Sequence, residues 1–75
     1  MTLDEFIEAF AEEFDDTPAE EFKADTKYRQ LDEWSSLTAL SIISMVDDNF
    51  DKNITGADIR STETIEDLYN LIQAK

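Results

Sequence analysis

Seventy-five residues carry nineteen Asp and Glu against six Lys and Arg, a net charge of −13, with no Cys and no His. A chain this short forms one domain at most, residues 1–75, and buries only about 60–65% of the surface its unfolded form exposes, leaving little room for a closed catalytic cavity. The missing thiol and imidazole exclude disulfide staples, thiolate metal sites and Ser-His or Cys-His catalysis, and the charge repels nucleic acid and anionic membranes while attracting Lys/Arg patches on proteins.

Thr2-Leu3-Asp4-Glu5 reads as a capping box, and Leu3, Phe6, Ile7, Phe10 and Phe14 then recur at three- and four-residue spacing. This predicts a first helix over about residues 3–14, ended by Asp15-Asp16, with an acidic outer face of Asp4, Glu5, Glu8, Glu12 and Glu13. The same residues are acidic where a secretory signal would be basic and then apolar, and no stretch approaches the roughly 20 apolar residues of a membrane span. A cytoplasmic protein is expected.

Thr17-Pro18-Ala19-Glu20 repeats the start signal and predicts one helical turn through Phe22, with Thr17 as cap and Pro18 first in the turn. Residues 23–33 show no sustained period and read as a loop pinned by Tyr28, Leu31 and Trp34. Ser35 or Ser36 is the next cap, opening a second helix over roughly residues 36–50. Its stripe of Leu37, Leu40, Ile43, Val46 and Phe50, broadened by Ile42 and Met45, predicts the most buried helix of the protein.

Asp51-Lys52-Asn53 makes a turn, Ile54 plugs the core, and a short helical turn beside Gly56 runs to Arg60. Residues 51–56 fit the opening of a calcium loop, but the twelfth position is Thr62 where a glutamate is needed, and the eighth is Asp58 where an apolar residue is usual. A helix-to-helix turn is the better reading, and no metal site is assigned. Thr62 or Thr64 caps the last helix, with Ile65, Leu68, Tyr69, Leu71 and Ile72 on its buried face. Nothing reads as a strand, so the expected fold is all-α: a small bundle of three main helices with one or two short helical turns.

A hydroxyl at a helix N-terminus can cap free N–H groups, or carry a phosphate that those groups and the helix dipole stabilise. With two serines in succession, one can cap while the other stays free. The segment Ser35-Ser36-Leu37, the helix "SSLTALSIISMVDDNF" that it opens, the turn "DKNITGADIR" and the closing "TIEDLYNLI" together resemble the acyl carrier proteins of fatty acid, polyketide and peptide synthesis. The resemblance covers nearly the whole chain, and the order of elements carries it more than the three-residue motif.

The resemblance implies a carrier, not an enzyme, with 4'-phosphopantetheine attached from coenzyme A to Ser36 and acyl or aminoacyl groups held as thioesters on its thiol. Ser35 is the alternative attachment site. The implied partners are a phosphopantetheinyl transferase and acyl-loading and synthase enzymes with basic docking patches, meeting Leu37, Ser41, Asp47 and Asp48, and the carrier is expected to be a monomer. Leu40, Ile42, Ile43, Ile54 and Ile59 either line a cleft for an acyl chain or are ordinary core. The family's Asp before the modified serine is Ser35 here, Thr38 and Ser41 are uncharged where many relatives are acidic, and Trp34 replaces a small residue. The competing reading is an acidic protein-interaction module without a prosthetic group.

Overall fold

In a computed structural model that describes residues 2–75, the chain is a small all-α bundle. Met1, the first residue of the expected domain, lies outside the described residues. Helix α1 spans Leu3–Ala11, α2 Ser36–Phe50, α3 Gly56–Arg60 and α4 Ile65–Gln73, with 3-10 turns at Ala19–Glu21 and Tyr28–Gln30. Helices α1 and α3 each pack against both α2 and α4. Among the described residues there is no strand, only an isolated bridge between Lys27 and Thr64, and no helix is long and apolar enough to cross a membrane.

The capping box at Thr2 and Glu5 forms as its sequence requires, each side chain accepting the other residue's N–H. Regular helix ends at Ala11, three residues short of the expected end, and the chain continues by tighter bonds from Glu13 N–H to Phe10 C=O and from Phe14 N–H to Ala11 C=O. The acids Glu12, Glu13, Asp15 and Asp16 gather at the negative end of the α1 dipole, which disfavours further α-helix. The tighter turn also brings Phe14 round to face Phe22, with ring centroids 4.9 Å apart.

An aromatic series holds this half of the core together. Phe6 and Phe10 are fully buried; Phe10 meets Phe14 at 5.6 Å and Tyr28 at 5.4 Å, and Tyr28 meets Trp34 edge-on at 5.1 Å. Burial of each such side chain contributes about 1.5–3 kcal/mol, so the loop between α1 and α2 is fixed by packing although it holds little regular structure. The Tyr28 hydroxyl donates to the Ile59 carbonyl at 2.8 Å and is paired with Thr62 Oγ1, tying that loop to the end of α3. Burial raises the Tyr28 pKa above its usual value.

Two further sequence expectations are corrected, and one left open between two residues is resolved. Thr17 does not cap the turn after it; Pro18 occupies that position without a side-chain bond, because the Thr17 hydroxyl is engaged by Glu33. Thr64 caps α4, while Thr62 is buried against Tyr28. Nor is α2 the most buried helix: it buries Ile42, Met45 and Val46 among fifteen residues, whereas α4 buries Ile65, Leu68 and Ile72 among nine.

Candidate functional site

The two serines at the head of α2 do different work. Ser35 has extended backbone (φ −154°, ψ 176°) and is the N-cap: its Oγ accepts the Thr38 N–H at 3.3 Å and lies 3.2 Å from Thr38 Oγ1. Thr38 Oγ1 donates onward to the Glu33 carbonyl at 3.0 Å, which ties the end of the loop to the first helical turn. Ser36 is the first residue of the helix, exposed, and its hydroxyl makes no hydrogen bond among the described residues.

The ends of the other α-helices are closed differently. At α1, α3 and α4 a threonine cap is paired with an acid in the first turn, and the carboxylates of Glu5, Asp58 and Asp67 accept the cap's backbone N–H. These bonds hold all three carboxyls below their ordinary pKa. Helix α2 has no acid in its first turn. Its positive dipole end therefore lacks the carboxylate that partly neutralises the other three.

The segment leading into the serines is held from both sides. The Glu33 carboxylate accepts the Asp15 N–H at 3.1 Å, the Asp16 N–H at 2.9 Å and the Thr17 hydroxyl, bridging the two ends of the loop. The hydroxyl bond, with the two backbone bonds behind it, lowers the Glu33 pKa from its usual value. Trp34 is half-buried, stacked on Phe14 at 6.4 Å and edge-on to Tyr28. Sequence reasoning found Trp34 but missed Glu33, because its partners lie 16–18 residues away and no local pattern marks them.

Leu37 does not begin a buried stripe. It is 76% exposed and Leu40 is 61% exposed. Helix α2 carries two interleaved apolar series, and Ala39, Ile42, Ile43, Met45, Val46 and Phe50 are the ones packed against or buried in the core. Ser36, Leu37, Leu40, Ser44, Asp47 and Asp48 thus share an exposed face, with Ser41 half-buried at its edge. From Ser36 to Asp47 this face is about 16 Å long at 1.5 Å per residue. It sets two bare leucines between a free hydroxyl and a pair of acids.

The five residues considered for an acyl cleft divide between core and surface. Ile42, Ile54 and Ile59 are core residues, Ile43 packs against them, and Leu40 faces solvent. Residues 51–62 form a helix-to-helix turn in which Asp51 ends α2 in the left-handed region, Thr55 and Asp58 close the cap of α3, and Thr62 is buried. Among the described residues, no three or more His, Cys, Asp or Glu side chains are grouped to hold a metal ion. Comparison with known proteins identifies no relative: no family model matches the chain, and neither a curated protein nor a solved structure matches it significantly.

Proposed function

We propose that the protein is a carrier that accepts 4'-phosphopantetheine on Ser36 and presents acyl or aminoacyl groups to partner enzymes through the exposed face of α2. One observation carries the reading: the Ser36 hydroxyl is exposed and free at the head of a fifteen-residue helix whose cap is made by its neighbour. The resemblance to acyl carrier proteins in element order supplies the class of chemistry. When bound, the arm supplies the thiol that this chain lacks.

The local structure suits such a group. A phosphodiester on Ser36 Oγ sits at the positive end of the α2 dipole, worth about 0.3–1 kcal/mol at an exposed site. No first-turn acid competes with it, and the Glu33 carboxylate is engaged by the α1–α2 loop. Ser35 stands where the family has Asp, and its Oγ makes the bond to the Thr38 N–H that a capping carboxylate would make. Ser36 Oγ is the nucleophile: it bonds to the phosphorus that bears the pantetheine, the pyrophosphate bond of coenzyme A breaks, and adenosine 3',5'-bisphosphate leaves. The serine proton passes to a base of the transferase, since no base among the described residues is bonded to Ser36. Leu37 and Leu40 offer the partner an apolar contact, and Asp47 and Asp48 offer charge to Lys or Arg.

Incubation with coenzyme A and a phosphopantetheinyl transferase, followed by intact mass, tests this directly. The wild type gains one phosphopantetheine, Ser36→Ala gains none, and Ser35→Asp, which keeps a cap, still gains one. Absence of any gain on the wild type refutes the carrier reading and leaves the same face as the docking surface of an acidic module without a prosthetic group. Modification that survives Ser36→Ala and is abolished by Ser35→Ala moves the attachment point to Ser35.

A further inference from the structure

A second surface lies wholly within residues 3–24 and shares no residue with the exposed face of α2. It is an open groove of about 620 Å³. Leu3, Ile7 and Ala11 form its floor along α1, and Phe14 and Phe22 form a wall. All five are apolar; Phe14 and Phe22 are 7% and 5% exposed, while Leu3, Ile7 and Ala11 are half-buried.

The charge beside this floor is ordered as well. Asp4, Glu8 and Glu12 also line the groove, each one residue after a floor residue, so an acidic row runs parallel to the apolar one at the same four-residue spacing. Like charges at that spacing repel along a helix, costing about 0.2–0.5 kcal/mol per pair, and α1 itself carries no basic residue to offset them. Among the described residues, Lys23 is the one cation lining the groove.

We propose that this groove docks an amphipathic helix of a partner protein, its apolar side chains on Leu3, Ile7 and Ala11 and its Lys or Arg residues on Asp4, Glu8 and Glu12. The occupant follows from the charge. A fatty acid or anionic lipid would set its carboxylate or phosphate against three carboxylates. A second copy of the chain brings its own net charge of −13. A basic helix relieves the repulsion along α1 while covering its apolar row, and an amphipathic helix laid into an apolar groove is a recurring mode of recognition. The site is independent of any modification of Ser36, so it stands or falls apart from the carrier reading.

A fluorescently labelled synthetic helix built from Leu and Lys, titrated with the unmodified protein at physiological ionic strength and read by anisotropy, is the test. Amide shift mapping by NMR places the perturbation on α1, Phe14 and Phe22. Glu8→Lys and Glu12→Lys, both on exposed residues, each weaken binding about fivefold or more, from a lost attraction and an added repulsion. Asp32→Lys makes the same change of charge on an exposed loop residue outside the groove, and it alters binding by less than about twofold at a Debye length near 8 Å. Equal weakening by all three variants reduces the effect to bulk charge and overturns the proposal. So does a perturbation mapped elsewhere, or displacement of the peptide by dodecanoate.

Discussion

Glu33 is the residue on which the serine-bearing end of the loop depends. Its carboxylate takes two backbone N–H bonds and one hydroxyl bond from residues 15–17, and its own carbonyl receives the Thr38 hydroxyl, so one residue joins the end of the α1 region to the first turn of α2. The bonds favour the ionised form, which lowers the folded-state pKa below that of the unfolded chain. The stability they contribute is therefore present above the ordinary glutamate range and is lost as pH falls through the lowered folded value. Glu33→Gln keeps the length of the side chain but not the charge, and it lowers the thermal midpoint at neutral pH. The gap between the midpoints of wild type and variant closes as both are acidified. A gap that stays constant down to low pH would show that the carboxylate charge is not what holds the loop.

At the scale of elements, the ends of the helices carry most of the readable information. The boundaries of α2 and the capping box of α1 follow from the order of hydroxyls, acids and apolar residues, since these act within four residues of one another. The C-terminus of α2 is the exception that invites a test. Asp51 closes it at φ 55°, ψ 40°, a left-handed conformation that glycine adopts at no steric cost, and its charge sits at the negative end of the dipole. Asp51→Gly stabilises the protein by roughly 0.5–1 kcal/mol, read as a higher denaturant midpoint with unchanged slope. What could not be read from the sequence is what covers each helix. The period of α2 allows both the Leu37–Leu40 line and the Ala39–Ile42 line to be core, and only the packing of α1 and α3 selects the second. The serine pair was legible as the head of α2, but its division of labour rests on which Oγ reaches the Thr38 N–H. The groove on α1 was half-legible: its acidic face and the turn through Phe22 are plain in the sequence, while the packing of Phe14 on Phe22 that makes the wall is a tertiary contact that no local pattern encodes.

For the molecule as a whole, charge sets stability and recognition against each other. Nineteen acids and six basic residues belong to a body of 30 × 24 × 21 Å, and among the described residues the ion pairs Lys27–Glu63 at 3.3 Å, exposed, and Lys75–Asp58 at 3.2 Å, partly exposed, leave most carboxylates without a cation. Exposed pairs of this kind contribute little, about 0–1 kcal/mol each, so the net electrostatic effect on folding is repulsion. Screening acts on that repulsion over distances comparable to the body itself, because the Debye length falls from about 30 Å at 10 mM salt to about 3 Å at 1 M. Sodium chloride therefore raises the thermal midpoint steadily across this range, with most of the gain below about 0.2 M, where the Debye length drops beneath typical spacings between the acids. The same titration slows association with a basic partner, since the field that destabilises the fold is the one that draws the partner in. Thermal unfolding and stopped-flow association measured in one salt series thus move in opposite directions. A midpoint that falls with added salt would mean that the two ion pairs and the four shifted carboxylates outweigh the repulsion.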